Sequence, residues 1–234
     1  EKDINELLSL NDSPLWSIGH SRGVISKIDS LFAVSRYITT TQLEAFFEIA
    51  KLVLSEDDPA LDLPECVRWS SLQYGKTREF SEQLREGIGE TFVLLAVYGD
   101  LLFGSSRALD CGYRASRIVE NILLPLDSRK LEANCNELPV YAEAAPSTFL
   151  RLIEDDLKNE QPQVLALLRP VETGYFGASC PRVGLLRALE LLAWNSDFLP
   201  RVATILAQMC QYEIKDNWAN KPIFSLSQIF DKWM

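Results

Sequence analysis

The sequence is poor in metal-binding residues. Its 234 residues contain one histidine, His20, and no Cys-x-x-Cys pair. Structural zinc sites combine four closely spaced Cys or His ligands, so we expect neither a metal site nor another cofactor. An odd number of distant cysteines is typical of reduced, buried thiols in a cytosolic protein. We predict that state for Cys66, Cys111, Cys135, Cys180 and Cys210.

Runs of basic residues and long apolar runs are also missing. The chain has 33 acidic and 23 basic residues, a net charge of -10, and no Lys/Arg cluster. Such a surface repels phosphate groups, so we expect no nucleic-acid partner. The longest strongly apolar run, Phe92–Tyr98, is far shorter than the ~20 residues needed to span a bilayer. With no visible signal peptide, these features predict a cytoplasmic protein that does not bind membranes.

Strand-type alternation is scarce, whereas helical periodicity recurs along the chain. Thr41-Gln42-Leu43-Glu44 has the form of a capping box, and an apolar stripe follows it as far as Leu54. Further helices are predicted for Lys76–Tyr98, for Tyr113–Leu124 before Pro125, and after a Ser225 cap. On the helix Lys76–Tyr98, one apolar face comprises Phe80, Leu84, Ile88, Phe92 and Leu95. The pattern predicts an all-α fold.

Two segments look like copies of one unit. Ala144–Leu150 and Ala193–Leu199 align at an offset of 49 residues, with Ser147 and Ser196 as candidate N-caps and Pro200 in a first helical turn. This period favours stacked helical hairpins in a HEAT- or ARM-like solenoid, with an irregular helical bundle as the alternative. We expect one helical region over residues 1–234, with possible sub-units 1–125 and 126–234, cut from a larger protein.

Residues 19–23 read Gly-His-Ser-Arg-Gly, which matches the nucleophile elbow of α/β-hydrolases. That serine requires a histidine base well downstream in the chain. The sole histidine, His20, directly precedes Ser21 and cannot face it across an active site. We therefore expect no catalytic residue, with Ser21 or Ser26 as a helix cap, and keep a Ser21 hydrolase only as a remote alternative.

Three other motifs have simple structural interpretations. Ser70–Thr77 ends like a P-loop, but Ser70 replaces its first glycine, so we expect Thr77 to start a helix instead. Gly87 and Gly89 suggest the close approach of a neighbouring helix. The acidic clusters 56–58 and 154–156 are interpreted as solvated helix ends.

Aromatic residues concentrate near the C-terminal end of the sequence. Their main role is expected to be filling the seam between the last helix pairs, with a protein interface as the alternative. The candidates for such an interaction surface are Trp194, Tyr212, Trp218, Phe224 and Trp233, with Phe230 between them.

Three helical runs, Tyr37–Pro64, Tyr74–Ala96 and Gly184–Phe230, resemble segments of very large bacterial proteins that carry a STAND-type nucleotide-hydrolysing module. The resemblance implies a helical scaffold or sensor within an antiviral or signalling ATPase. It also implies that the ATP-binding motifs lie elsewhere in such a protein, so no catalytic residue is transferred to this stretch.

The sequence thus predicts a non-catalytic scaffold or sensor region. Its expected partner is another protein or a neighbouring domain of the larger chain. The alternative of a different kind is a helical domain that encloses a small ligand.

Overall fold

The computed structural model describes residues 2–19, 21–104, 110–171 and 180–233. The fold is all-α, as predicted, and one two-stranded antiparallel sheet precedes the main helices. Short 3-10 helices occupy 35–37, 59–62, 65–74 and 163–168, and a π-helical turn spans Asp100–Gly104. The elements are α1 (Lys2–Leu8), β1 (Leu15–Ile18), β2 (Ser21–Val24), α2 (Lys27–Val34), α3 (Thr40–Leu54), α4 (Glu82–Gly99), α5 (Cys111–Leu123), α6 (Ser128–Ala133), α7 (Leu138–Ala144), α8 (Pro146–Asp156), α9 (Arg182–Leu192), α10 (Leu199–Met209) and α11 (Pro222–Trp233).

The main helices form two layers. Layer one contains α4, α7, α9 and α11, and layer two contains α3, α5, α8 and α10; each helix contacts the next helix of its own layer. Hairpin partners pack across the layers, as in the pairs α4/α5, α7/α8 and α9/α10. The two sequence copies around Ala144–Leu150 and Ala193–Leu199 fall at the equivalent turns α7/α8 and α9/α10. Stacked helical hairpins therefore describe this chain.

Layer-one helices run parallel, with their N-terminal ends at one edge. Arg85 near the start of α4 donates from Nε to Glu137 before α7, at 2.8 Å. Arg182 at the start of α9 donates to the carbonyl of Asn220 before α11. The connections 55–81, 124–137, 157–181 and 210–221 all lead to this edge, which we call the long-connection edge.

A glycine permits the tightest helix contact at this edge. A Cβ on Gly184 would lie 1.6 Å from the carbonyl oxygen of Cys135, so only glycine fits there. The predicted close approach does not require glycine at Gly89, where a Cβ would lie 3.4 Å from the Val140 side chain, an ordinary van der Waals contact. The same prediction is wrong for Gly87, where nothing lies within 4 Å.

The core runs continuously through both layers. Within it, the hydroxyl of Tyr141 lies 3.0 Å from the carbonyl oxygen of Leu54 and 2.8 Å from Oδ1 of Asn134. Complete burial raises the pKa of the Tyr141 phenol well above its usual range. This residue ties α7 to the end of α3.

The start of α3 differs from the predicted capping box. The N-cap is Thr39, whose Oγ1 accepts from the N–H of Gln42 at 3.3 Å. The Thr39 N–H in turn donates to Oε1 of Gln42 at 2.8 Å. The capping box is therefore present, but it uses Thr39 and Gln42 rather than Thr41 and Glu44. The two pairs have the same spacing and overlap in the sequence.

Helix α4 begins later than predicted, and its buried face matches the predicted one only in part. Its N-cap is Ser81, so Thr77 does not start it. The preceding residues are held elsewhere, since Arg78 donates to the carbonyl of Ala133 on α6. Leu84, expected in the core, is 45% exposed. Phe92 and Leu95 are buried as predicted, and they share the buried face with Arg85, Gly89 and Gly99.

Three later helices begin at prolines rather than at serine caps. The N-cap positions of α8 and α10 are Ala145 and Phe198, so the predicted caps Ser147 and Ser196 are wrong. Ser225 is likewise inside α11 and buried. Proline needs no N–H partner in a first turn and fixes a helical φ, which explains these starts. The prolines are Pro146, Pro200 and Pro222, and Pro200 was correctly placed.

The long apolar helix of layer one passes a membrane test by length and composition. An 18-residue stretch within Glu82–Gly104 has a mean hydropathy of 1.4, and 28% of that stretch is buried in the fold. The sequence argument against a membrane span considered only the short run Phe92–Tyr98, so it does not apply to this longer helix. Within this fold, α4 contacts α3, α5 and α7.

All five cysteines are free thiols, as predicted, but they are not all buried. Cys66 is exposed, whereas Cys111 is fully buried. Burial, with help from Asp100, raises the pKa of Cys111 to about 11. Burial and the neighbouring Glu137 raise the pKa of Cys135 to about 11. Burial of this kind makes thiols unreactive at neutral pH.

Candidate functional site

The Gly-x-Ser-x-Gly motif lies in a β-hairpin. Ile18 of β1 pairs with Ser21 of β2 in an antiparallel register, and Gly19 adopts a φ of 60°. His20 lies outside the described residues. The next helix starts at Lys27 and is capped by Ser26, whose Oγ accepts from the N–H of Asp29 at 3.2 Å. Ser21 is thus neither a helix cap nor a strand-to-helix elbow, whereas the Ser26 cap is confirmed.

The P-loop-like stretch also lacks the required geometry. The segment before Gly75 is the 3-10 helix Glu65–Tyr74 rather than a strand. Lys76 Nζ forms an ion pair with Asp62 at 2.8 Å. No phosphate cradle forms at this glycine.

The acidic clusters are not simply solvated helix ends. Asp57 pairs with Arg129 at 2.8 Å, and the Glu56 side chain is only 16% exposed. In the second cluster, Asp156 is 5% exposed and accepts from the N–H of Val164 at 2.8 Å. Within the described part of the chain, no group of three His, Cys, Asp or Glu residues is arranged to hold a metal ion.

Glu154 in the second cluster makes the strongest of these pairs. Both of its carboxylate oxygens accept from Arg201 on α10, at 2.8 and 2.7 Å. This bidentate hydrogen bonding lowers the pKa of Glu154. The pair joins α8 to α10 within layer two.

A charged cleft of about 660 Å³ opens at the long-connection edge. The 3-10 helix Glu65–Tyr74, the first turns of α4 and the α6–α7 turn form its walls. Three arginines and five carboxylates line it, which leaves a surplus of two negative charges. These residues are Arg68, Arg78, Arg85, Asp58, Glu65, Glu82, Glu132 and Glu137.

Ion pairs hold the walls of the charged cleft together. Arg68 Nη1 and Arg169 Nη2 both donate to Oε1 of Glu132, at 2.7 and 2.6 Å. Arg85 is 3% exposed and donates from Nη1 to the carbonyl of Val53 at 2.6 Å. The two contacts to Glu132 tie three connections together, and the contact to Val53 ties α4 to the end of α3. Trp69 also lines the charged cleft, and it is 56% exposed.

Sequence reasoning missed the charged cleft. Its lining comes from residues 58–85 and 132–137, which are far apart in the chain and carry no spaced motif. The one usable signal is that the connections are polar and long. In stacked-repeat proteins, insertions between helices often lie on one binding face.

The C-terminal aromatic residues are mostly exposed, so the predicted core role is wrong for most of them. Trp194 is 56% exposed, Tyr212 53%, Phe224 53% and Trp233 43%. Trp218 is half-buried, and its backbone N–H donates to Oδ1 of Asp216 at 3.1 Å.

These aromatic residues do not form one patch. Trp194 receives the ammonium of Lys232 at 5.3 Å from its ring centroid, so it lies near the C-terminal end of α11. Tyr212 follows α10 and Phe224 is in the first turn of α11, at the opposite end of that helix. The candidate residues therefore lie at two opposite ends of α11 and do not form the single surface considered in the sequence analysis.

A narrower set does share one flank of α11. At 100° per residue, Ile223, Leu226, Phe230 and Trp233 fall within an arc of about 80°. Ile223 is 55% exposed and Phe230 44%, while Leu226 is half-buried. We call these four residues the α11 stripe. The buried side of the helix lies beside it and consists of Pro222, Ser225 and Ile229.

Comparisons with protein-family models, with curated proteins and with solved structures give no match. The resemblance to the helical regions of STAND-type proteins therefore stays a prediction.

Proposed function

We propose that this chain is a non-catalytic helical scaffold or sensor region of a larger, nucleotide-hydrolysing bacterial protein. It acts by binding another protein or a neighbouring domain. The observation that carries the proposal is the α11 stripe, a continuous apolar flank that is left exposed on α11.

Physical reasoning supports a binding role for such a flank. A helical hairpin in a stacked array cannot cover its apolar face alone, so exposed apolar surface on its helices calls for a further contact. Contiguous exposed apolar surface on a soluble protein marks an interaction site far more often than isolated exposed residues do. Large aromatic side chains such as Phe230 and Trp233 are also the usual anchors of protein interfaces.

Site-specific photocrosslinking in cells tests this proposal. A photoreactive phenylalanine analogue replaces Ile223 in the full natural chain, and the matched control replaces Tyr113 on α5, which is 62% exposed. We expect a defined protein or interdomain crosslink from position 223 and none from position 113. Equal crosslinking at the two positions, or none at position 223, would contradict the proposed role.

A second candidate function is supported by the charged cleft. Its volume of about 660 Å³ falls in the range of small-ligand sites. The surplus of carboxylates and the exposed indole of Trp69 fit a cationic ligand, since cations bind aromatic faces. Glu82 is the rim carboxylate best suited to a test, because it is exposed on the first turn of α4.

Spermidine is a suitable probe for this second function. Titration is followed by tryptophan fluorescence of the wild-type chain and of Glu82→Gln, with Glu213→Gln as a control on a remote, exposed carboxylate. Saturable binding that weakens only in Glu82→Gln supports a cation site. Identical titrations for the three proteins would exclude it.

A further inference from the structure

We propose that a small molecule with an apolar body and a positively charged head binds in a pocket between the start of α2 and the helices α4 and α7. We call this site the α2 pocket. Its volume is about 430 Å³, which falls in the range of small-ligand sites. The α2 pocket shares no residue with the charged cleft or the α11 stripe, so this binding function is independent of the two proposed above.

The α2 pocket has apolar walls from three parts of the chain. The junction of β2 and α2, helix α4 and helix α7 contribute Ile25, Ile28, Val93, Leu94 and Val140. The residues of α4 and α7 are half-buried, whereas Ile25 is 69% exposed and Ile28 is also exposed. An apolar ligand between these walls removes part of each side chain from water, and this burial supplies the affinity.

Contacts within the fold hold the walls in place. Ser26 caps the start of α2. In the first turn, Lys27 forms an ion pair with Glu90 of α4. Further along α2, the ring of Phe32 lies edge-on to Tyr98 of α4, with 5.6 Å between the ring centroids. Helices α4 and α7 contact each other directly. The α2 pocket is therefore preformed, which keeps the entropic cost of binding low.

The charges at the α2 pocket select the head group of the ligand. Three charged side chains line it, namely Lys27, Glu90 and Glu143. The first two pair with each other, whereas the Glu143 carboxylate forms no hydrogen bond or ion pair among the described residues. Glu143 follows Val140 by three residues on α7, so the two side chains are neighbours on one helix face. One negative charge is left over beside an apolar wall, and an ammonium group on the ligand complements it.

The walls favour a small molecule over a docked segment of protein. Small-ligand sites typically combine mostly apolar walls with a few polar groups, as the α2 pocket does. The ion pair between Lys27 and Glu90 bridges α2 and α4 at this site. A helix is about 10–12 Å wide with its side chains and would have to open this bridge, whereas a phenylalkyl group would not.

Three probes of one shape test the choice of head group. They are 4-phenylbutylamine, the neutral 4-phenylbutan-1-ol and 4-phenylbutyrate, which share an apolar body and differ in charge. Each is titrated into the ¹⁵N-labelled chain, and amide chemical shifts in NMR spectra report both the location and the affinity. We expect shifts concentrated in residues 25–28, 90–94 and 140–143. The amine should bind about two- to fivefold more tightly than the alcohol, the range for an exposed charge pair, and the carboxylate should bind most weakly.

Two substitutions test the charge and the wall separately. Glu143→Gln should reduce the affinity for the amine to that for the alcohol, and the control Glu86→Gln changes an exposed carboxylate of α4 outside the α2 pocket. Ile25→Ser should weaken binding of all three probes at least threefold, and the control Ile18→Ser changes another exposed isoleucine. All four positions are exposed, so the fold should tolerate these changes, which circular dichroism checks.

Three results would overturn the proposal. The first is that no probe shifts the amides of the α2 pocket in a saturable way. The second is that the carboxylate binds as tightly as the amine, or that Glu143→Gln has no more effect than Glu86→Gln. The third is that the same amides shift with protein concentration when no probe is present, which would identify a second copy of this chain as the occupant.

Discussion

The buried Arg182–Asp216 ion pair offers a sharp test of how the long-connection edge is held. Arg182 is fully buried and Asp216 nearly so, with 2.8 Å between Nη2 and Oδ1. Asp216 also accepts from the N–H of Val171 at 3.0 Å and of Trp218 at 3.1 Å. One carboxylate therefore organises the start of α9 and two connections. Replacing it with asparagine keeps the shape and removes the charge.

The expected cost follows from what the substitution leaves behind. An asparagine offers one acceptor oxygen in place of two, so Arg182 or the N–H of Val171 loses its partner. Removing one member of a buried ion pair typically costs about 3–5 kcal/mol. For Asp216→Asn we expect the lower end, about 3 kcal/mol, which corresponds to a fall in Tm of about 6–12 °C for a domain of this size.

Urea unfolding followed by tryptophan fluorescence and circular dichroism measures the loss. The matched control is Glu213→Gln, because the exposed pair of Glu213 with Lys215 should contribute less than about 1 kcal/mol. A stability of Asp216→Asn within about 0.5 kcal/mol of the wild type, the usual range for surface substitutions, would refute the structural role assigned to this carboxylate.

The same carboxylate predicts a pH dependence. Burial opposes its ionisation, but the N–H of Val171 and then Arg182 outweigh burial and lower the pKa of Asp216 below its ordinary 3.8. A lowered folded-state pKa adds stability above pH 3.8, and this stability is lost as the pH falls through the folded-state value. The difference in stability between wild type and Asp216→Asn should accordingly be constant near neutrality and shrink below pH 3.8. A difference that grows on acidification contradicts this sign.

Two further predictions concern glycines and thiols. Gly184→Ala should strongly lower the melting temperature of the protein, because its Cβ would meet the carbonyl of Cys135. Gly87→Ala should stabilise the fold by about 1 kcal/mol, because nothing lies within 4 Å of that position. The reverse order of the two melting temperatures would refute the packing described here. Iodoacetamide at pH 8 followed by mass spectrometry should alkylate exposed Cys66 first and spare Cys111 and Cys135, whose pKa values are raised to about 11. Labelling of all three at one rate would contradict their burial.

The sequence predicts the existence of helices better than their ends. Apolar periodicity identified α3, α4 and α5, because each buries one face against neighbours. The start of α4 was misplaced by the apolar Phe80, which continues the periodicity beyond the helix. The helix starts after the Ser81 N-cap, whose Oγ accepts from the N–H of Leu84, and the residues before it are held by the hydrogen bond from Arg78 to the carbonyl of Ala133, a residue far away in sequence. Local patterns carry no record of such a contact.

The buried face of α4 was misjudged for a related reason. Hydrophobicity alone favours Leu84 as a core residue and excludes Arg85. In the fold Arg85 is buried because Glu137 and the carbonyl of Val53 both accept hydrogen bonds from it. A buried charge needs such partners, and they come from the connection before α7 and from the end of α3. The charged cleft that Arg85 helps to line was unpredictable for the same reason.

The internal repeat was the most informative part of the sequence, although its proposed serine caps were wrong. The alignment of Ala144–Leu150 with Ala193–Leu199 depends on apolar residues and on the turn, and these determine how hairpins stack. It relates Glu154 on α8 to Ala203 on α10, so a contact observed in one repeat identifies a surface in the next. That surface is lined by alanines where its counterpart bears a glutamate. Because a small side chain permits close helix approach but forms no bidentate pair with an arginine, the Glu154–Arg201 contact has no charged equivalent on this flank of α10, and any helix contact there depends on apolar packing.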